Sequence, residues 1–258
     1  DDGSVAPGLH AAAEVGAALG DVLIVAPATQ HTVMSRSRPF TPGIGIIQTT
    51  EVPMNGGTHP GYAVTASPAL CVAHALVELA PRKPVLCLSG INYGENIGFS
   101  VTGSGTLGAA LEASSFGVPA IASSLETPLS LTHATEYAAL DWDAAKAHLH
   151  QLAVQVLEGG MPEGVAVLNL NVPADATADT KQRITCLSTH NYYTFNPIGP
   201  NTRDYSQPHR LRESRIADKA TLEKDSDVYA FVHDRVVSVT PIARVLSAPL
   251  DDVRDWAT

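Results

Sequence analysis

The sequence of 258 residues contains few charged side chains, few cysteines and no long apolar run. Asp, Glu, Lys and Arg make up 16% of the chain and hydrophobic residues 45%, whereas about 25% of a typical soluble domain is charged. The longest apolar stretches, such as Val22–Pro27, are much shorter than the roughly 18–20 residues that cross a bilayer, so the sequence predicts no membrane-spanning segment. A chain of this length and composition can bury a large core. These proportions exclude wholesale disorder and favour one large domain or two unequal ones.

Positive charge and thiols are scarce as well. Sixteen Lys and Arg against 26 Asp and Glu give a net charge of −10, which disfavours duplex nucleic acid as a partner. Cys71, Cys87 and Cys186 show no C-x-x-C spacing, so we expect buried thiols in a reducing compartment and a cytoplasmic protein. No group of His and Cys has the spacing of a zinc site. A small phosphate held by backbone amides and a metal ion remains compatible with this composition.

Apolar strands and amphipathic helices alternate over the first two thirds of the chain, which is typical of a parallel, doubly wound α/β sheet. The predicted strands are Val22–Ala26, Tyr62–Thr65, Val85–Ser89, Val118–Ser123 and Val165–Val172. The predicted helices are Pro7–Gly20, a helix capped by Ser67 and ending near Ala80, Thr106–Phe116, and a helix from Asp141 to about Glu158.

The pattern changes after Pro173. We expect a catalytic core over residues 1–175, a β-rich oligomerisation arm over 176–225, and C-terminal strands and a helix over 226–258. The arm is too aromatic for a flexible linker, so we expect it to bury aromatic side chains in a homodimer or homotetramer. The arm contains the predicted strand Ile184–Ser188 and the aromatic side chains Tyr192, Tyr193 and Phe195. The C-terminal segment contains the predicted strands Tyr229–Val232 and Val236–Val239 and the predicted helix Val253–Trp256.

The first helix follows almost directly after Asp1-Asp2-Gly3. A parallel strand–helix–strand unit needs a strand before its helix. We therefore expect several aliphatic residues and an Asn upstream of Asp1, forming a central strand.

Polar side chains follow the predicted strands, at the edge where ligands bind to parallel sheets. Asp1 and Asp2 precede the first helix, Thr32 follows the strand Val22–Ala26, and Asn92 and Asn96 follow the strand Val85–Ser89. These are all oxygen donors, of the kind that Mg²⁺, Mn²⁺ and Ca²⁺ prefer. Taken singly, the aspartates could also cap the helix, and the asparagines could be turn residues.

A second candidate feature is the segment Thr102-Gly-Ser-Gly-Thr106. Its position at a helix N-terminus favours an anion site, because backbone amides and the helix dipole point there. It matches neither a Walker A loop nor a G-x-G-x-x-G fingerprint, and plain helix capping remains an alternative.

Six stretches, in order along nearly the whole chain, resemble the motifs of the SurE survival-protein nucleotidases. They are Asp1-Asp2-Gly3 with Ala6-Pro7-Gly8, the loop from Ala26-Pro27 to Ser37, Ser89–Gly98 (S-G-I-N-x-G-x-N-x-G), Ser104-Gly105-Thr106, Leu168–Pro173 (L-N-I-N-V-P) and Val237–Pro241 (V-S-V-T-P). We therefore expect a Rossmann-like, mostly parallel α/β core with an appended β-rich arm.

The resemblance implies a metal-dependent phosphatase that hydrolyses nucleoside 5′- and 3′-monophosphates, with one Mg²⁺ or Mn²⁺ per subunit. It implies that Asp1, Asp2 and Asn92 are catalytic and bind the metal, together with Thr32 where the family usually has serine. It implies that the phosphate contacts come from Thr32, Asn96, Ser104, Gly105 and Thr106.

Two departures from the family pattern concern the substrate. Val33-Met34 replaces a small Gly-Ala pair, and Ala66–Cys71 lacks the glycine and aspartate of the family's G-T-P-x-D-C. A phosphatase for another small phosphorylated metabolite therefore stays open, as does a catalytically weak nucleotide- or phosphate-binding module.

Overall fold

The computed structural model describes residues 2–129, 137–197, 204–207, 211–245 and 247. Asp1 and the predicted helix Val253–Trp256 lie outside these residues. The α-helices of the described chain are α1 (Pro7–Leu19), α2 (Pro68–His74), α3 (Gly105–Ser115), α4 (Asp143–Gly159) and α5 (Asp227–Val232). Its strands are β1 (Ile24–Pro27), β2 (Ile47–Met54), β3 (Gly57–Val64), β4 (Cys87–Tyr93), β5 (Ala120–Leu125), β6 (Val165–Val172), β7 (Gln182–Ile184), β8 (Tyr193–Asn196), β9 (Arg212–Arg215) and β10 (Val237–Ala243).

The central sheet has the strand order β4-β5-β6-β10-β7. Strands β4, β5 and β6 are parallel, and β10 runs antiparallel to β6. Helices α1 and α4 pack on one face of this sheet, where Leu149 and Leu152 contact Ile121 and Leu170. Helix α3 covers the other face. Helices on both faces of a mostly parallel sheet confirm the predicted α/β class.

Helix α1 lies so close to β4 that only glycine fits at one position. A Cβ atom on Gly8 would be 1.9 Å from the carbonyl oxygen of Ile91. This close approach places the chain segment that precedes α1, with Asp2, beside the C-terminal end of β4.

A second sheet has the order β1-β3-β2, with β1 parallel to β3. Strands β1 and β4 are each the edge of their own sheet and face one another across an apolar groove of about 800 Å³. Because the groove runs along β4, Leu86, Cys87 and Leu88 are only half-buried, whereas the sequence predicts a fully buried strand there. The strand expected upstream of Asp1 is not among the described residues and stays a prediction.

Most predicted elements of the core are present within one to three residues of their expected ends. Ser67 caps α2, since its hydroxyl accepts a hydrogen bond from Leu70 N at 3.3 Å. The hairpin β2–β3 is longer than the single strand predicted at Tyr62–Thr65. At α4, the cap position belongs to Trp142, although the Asp141 carboxylate accepts from Asp143 N.

The C-terminal third differs more. The predicted strand Tyr229–Val232 is wrong, because these residues form α5, which Ser226 caps by accepting from Tyr229 N at 3.2 Å. The strand expected at Ile184–Ser188 is shifted to β7, which pairs with β10 in the central sheet. The division into a core, an arm and a C-terminal segment stays a prediction.

The aromatic residues of the arm do not all need a partner subunit. Tyr192 is buried within its own chain against Ile97, Val228 and Phe231, and Tyr193 is half-buried. Phe195 is 62% exposed. Among the described residues, no helix is both long and apolar enough to cross a membrane.

Candidate active site

The predicted site residues that the structure describes lie at the C-terminal ends of β1 and β4 and at the start of α3. The segment from Asp2 to Ser4 links the two strands. The Asp2 carboxylate accepts a hydrogen bond from Tyr93 N, at the end of β4, with Oδ2 2.9 Å from the nitrogen. Ser4 N donates to Pro27 O, at the end of β1, at 2.8 Å. Asp2 is 8% exposed, so its charge is held in a nearly closed setting.

Asn92 lies within β4, because the strand continues past the predicted end at Ser89. The pairing of β4 with β5 shifts register between Ser89 and Asn92, and such irregularities redirect side chains. The Asn92 amide nitrogen donates to Gly94 O at 2.6 Å. Its amide oxygen is thereby oriented as the group available to a ligand.

Asn96 is held by side chains that sequence reasoning missed. Asn171, on β6, accepts from Asn96 N at 2.8 Å and donates to Asn96 O at 3.0 Å. Asn169 donates to the same carbonyl at 2.9 Å, and Ser124 accepts from the Asn96 amide nitrogen at 2.9 Å. Both asparagines of β6 are fully buried. Asn169 and Asn171 stand two residues apart in an otherwise apolar strand, and this pattern could have indicated a buried polar contact.

The loop after β4, which carries Asn96, is also fixed at its far end. Gly98 N donates to Asp227 Oδ2 at 2.9 Å. Asp227, at the start of α5, is fully buried, and burial raises the pKa of its carboxyl. The loop is therefore anchored by α5, an element predicted to be a strand.

Thr32 lies in the loop after β1. Its hydroxyl oxygen is buried and has no hydrogen-bond partner among the described residues. The loop is docked onto the segment before α3, since Ser35 N donates to Gly103 O at 3.0 Å. A Cβ atom on Gly108 would be 2.0 Å from Ser35 O, so this docking depends on glycine.

The predicted phosphate loop begins α3. The Ser104 hydroxyl accepts from Leu107 N at 3.1 Å, so Ser104 is the helix cap, and its hydroxyl hydrogen can still donate to a ligand. The backbone amide of Gly105, the first residue of the helix, has no carbonyl acceptor within the helix. Ser89 donates to Thr106 O at 2.8 Å, which fixes this helix start to β4.

The donor set fits a hard divalent cation. Asp2 supplies a carboxylate, Asn92 an amide oxygen and Thr32 a buried hydroxyl oxygen without a partner in the described chain; oxygen ligands of this kind suit Mg²⁺ or Mn²⁺. No group of three or more His, Cys, Asp or Glu within the described residues is arranged to hold a metal. A site here thus depends on amide and hydroxyl oxygens and on Asp1, which lies outside the described residues.

Two arginines and one histidine near the site are candidates for phosphate binding and for proton transfer. Arg36 and Arg38 both bind the carboxylate of Glu112, whose side chain is fully buried. They anchor the loop after β1 to α3. His31 is partly buried, and desolvation lowers the pKa of its imidazole.

A family model described as "Survival protein SurE" matches residues 1–194. The chain belongs to the SurE family. The "5′-nucleotidase SurE" of Methanocella arvoryzae is 38% identical over 256 residues, covering 96% of this chain and 91% of that protein. The "5′-nucleotidase SurE" of Thermococcus gammatolerans is 37% identical over 252 residues, with coverage of 97% and 90%. The crystal structure of the SurE protein from Aquifex aeolicus aligns with a TM-score of 0.74 at 26% identity, over 99% of this chain and 95% of that chain.

Membership of the SurE family confirms the resemblance that the motifs predicted. The SurE crystal structure also confirms the α/β fold, because the alignment covers nearly the whole of both chains. The roles of the individual site residues stay predictions, which the geometry above supports for Asp2, Thr32, Asn92 and Asn96.

Proposed function

We propose that this chain is a metal-dependent phosphomonoesterase that hydrolyses nucleoside 5′- and 3′-monophosphates to nucleoside and phosphate. The observation that carries the proposal is the Asp2 carboxylate, fixed by Tyr93 N beside Asn92. A simple anion-binding module gains nothing from a buried carboxylate next to a phosphate. A metal-dependent phosphatase requires one. The names of the SurE relatives, "5′-nucleotidase SurE", agree with this activity.

The chain's own residues divide into two groups. Asp1, Asp2, Thr32 and Asn92 would hold one Mg²⁺ or Mn²⁺, and a bound divalent ion supplies the positive charge that a phosphate dianion and its attacking water need. Asn96 and the start of α3, with Ser104, Gly105 and Thr106, would hold the phosphate oxygens. The helix N-terminus favours negative charge there. These residues position the phosphorus for in-line attack by water.

The proposal also covers the oligomeric state of the protein and its cellular location. Large apolar side chains are exposed on and near the arm, and such patches on folded proteins mark interaction surfaces. They are Ile184, Phe195, Leu211 and Ile216. We therefore infer a homodimer or homotetramer built through the arm. The three cysteines are free thiols, which supports a cytoplasmic location.

Release of inorganic phosphate from a panel of esters tests the activity. The panel contains the 5′- and 3′-monophosphates of the four common nucleosides, p-nitrophenyl phosphate and several sugar phosphates, each with Mn²⁺, with Mg²⁺ and with a chelator. We expect metal-dependent turnover with the nucleoside monophosphates as the best substrates. A preference for sugar phosphates would favour the alternative function, a phosphatase for another small phosphorylated metabolite. Absence of turnover on every ester would favour a phosphate-binding module.

A matched pair of variants places the activity at this site. Thr32→Ala removes the buried hydroxyl and should raise the metal concentration needed for half-maximal rate. Thr32→Ser keeps the hydroxyl and should behave like the parent. Equal metal requirements for the two variants would remove Thr32 from the ligand set.

A further inference from the structure

A buried ion pair joins the site loop, which is the segment from Gly94 to Gly98 after β4, to the hairpin β8–β9. Glu95 stands between Asn92 and Asn96, and its side chain is fully buried. Its Oε1 atom is 2.7 Å from Arg215 Nη2 and 2.7 Å from the hydroxyl oxygen of Tyr193. Tyr193 and Arg215 are directly opposed in the hairpin. One carboxylate therefore binds both members of a cross-strand pair.

Arg215 is fixed from further sides. The same Nη2 atom donates to Thr127 O, just after β5, at 2.6 Å. Its guanidinium carbon is 5.9 Å and 6.0 Å from the ring centres of Tyr192 and Tyr193. The guanidinium is thus held between the hairpin, the end of β5 and the site loop, and it has little freedom to move unless the hairpin moves.

The pair is poorly suited to a purely stabilising role. Glu95 Oε2 and Arg215 Nε are both buried, and neither has a hydrogen-bond partner in the described parts of the chain. Burial raises the pKa of the Glu95 carboxyl, although the Arg215 charge and the Tyr193 hydroxyl oppose the shift. Apolar residues of similar volume stabilise a fold as well as a buried ion pair does, or better. What an ion pair adds over such residues is a fixed direction and distance.

We propose that Glu95 and Arg215 are positioning residues, through which the hairpin β8–β9 sets the position of Asn96 in the phosphate site. The inference rests on the proposed function for the role of Asn96. The neighbouring residue Asn96 is already clamped from β6 by Asn171. On the other side, Glu95 binds Tyr193 and Arg215 of the hairpin. Asn96 is therefore held between the central sheet and the hairpin.

The decisive comparison is between a single and a double variant. Arg215→Met leaves the Glu95 charge buried and unpaired, so it should lower the thermal unfolding midpoint and the activity together. Glu95→Leu combined with Arg215→Met removes both charges and should restore the midpoint to near that of the parent. A displaced catalytic group costs up to ~10²-fold in rate. We therefore expect the stable double variant to keep a kcat at least tenfold below the parent, with a smaller change in KM.

Arg183→Met is the control, since Arg183, on β7, forms an ion pair with Asp234 at 2.6 Å in which the two side chains are 31% and 34% exposed. It should leave kcat unchanged. Arg215→Lys keeps the positive charge but lacks the planar guanidinium group. Its unfolding midpoint and its kcat should lie between those of the parent and those of Arg215→Met.

A second measurement keeps the inference independent of turnover. Inorganic phosphate binding by calorimetry should weaken in the stable double variant and not in Arg183→Met. If the parent hydrolyses no ester, the proposed function fails, and phosphate affinity alone decides the positioning role. If the double variant regains its kcat and its phosphate affinity along with its stability, the pair is structural and the inference is overturned.

Discussion

Asp2 is the residue whose setting says most about the chemistry. Its carboxylate accepts from Tyr93 N, and its main-chain oxygen accepts from the Tyr137 hydroxyl. Both contacts fix the residue in place, and neither neutralises its charge. A nearly buried carboxylate with no cationic partner in the described chain is costly to maintain. A divalent cation bound at Asp2 would offset that cost.

Replacing Asp2 with Asn tests this role. The amide oxygen of Asn can still accept from Tyr93 N, so the fold should be kept while the charge is lost. Loss of a key electrostatic contact costs ~10²–10³ in rate, and we expect at least a hundredfold fall in Mn²⁺-dependent phosphate release. Asp21→Asn is the control, because the Asp21 side chain is 92% exposed. A Asp2→Asn variant with near-parental turnover would place the metal elsewhere.

At the scale of the elements, the groove between β1 and β4 is the feature with the clearest physical demand. Two parallel strands expose their edges to it, and parallel sheets are normally covered and paired throughout. Apolar side chains of α1 lie on one side of the groove, and those of α2 and α3 on the other. One more aliphatic strand, parallel to both edges, would join the two sheets.

The test is to extend the chain before Asp1 by five aliphatic residues and an Asn. Since the added strand would pair with both edges, we expect a higher thermal unfolding midpoint. Cys87 lines the groove, and burial raises its pKa to about 12; its reaction with a thiol reagent should slow further. An extension of Gly and Ser with the same length is the control. Equal midpoints for the two extensions would contradict the expected strand.

Local signals in the sequence account for the elements predicted correctly and for those missed. Ser67-Pro68 and the largely aliphatic run Val165–Val172 gave the right structure, because a helix cap and strand burial are strong local signals. Asn55-Gly56, between two polar–apolar alternations, is a hairpin signal that could have revealed β2–β3. Ser226 could have indicated α5, where aromatic and branched residues suggested a strand instead.

The site was predictable only as far as its motifs reach along the chain. Asn92 and Asn96 stand at the end of β4, where the α/β rule places ligands, and Asp2 stands in the motif that precedes α1. Arg215 is more than a hundred residues from Glu95, and no periodicity marks it. Such a contact depends on how the hairpin folds back over the sheet, which a single sequence does not encode locally.

At the scale of the whole molecule, the arm exposes several large apolar side chains that bear on assembly. Ile184, Phe195, Leu211 and Ile216 are each at least 48% exposed. Burying these side chains between subunits would remove apolar area from water, which supports the proposed assembly through the arm.

Light scattering at micromolar concentration tests the assembly. We expect the parent to be a dimer or tetramer, and Phe195→Ser combined with Leu211→Ser to shift it towards monomer. Phe116→Ser is the control, since Phe116 is 41% exposed at the end of α3. A monomeric parent would count against the arm as an interface.

The clamp on Asn96 has a consequence for folding. Asn171 both accepts from Asn96 N and donates to Asn96 O, which is how one residue bonds another in an antiparallel ladder. A side chain here stands in for a peptide unit. Ser124, which holds the Asn96 amide, is the registered partner of Asn171 across β5 and β6. A slip of one residue in β6 would turn the Asn171 side chain to the face of the sheet opposite Ser124 and remove its two hydrogen bonds to Asn96. Because the proposed phosphate contact of Asn96 depends on this pairing, we expect a molecule with β5 and β6 misaligned to lose phosphate binding even when it stays compact.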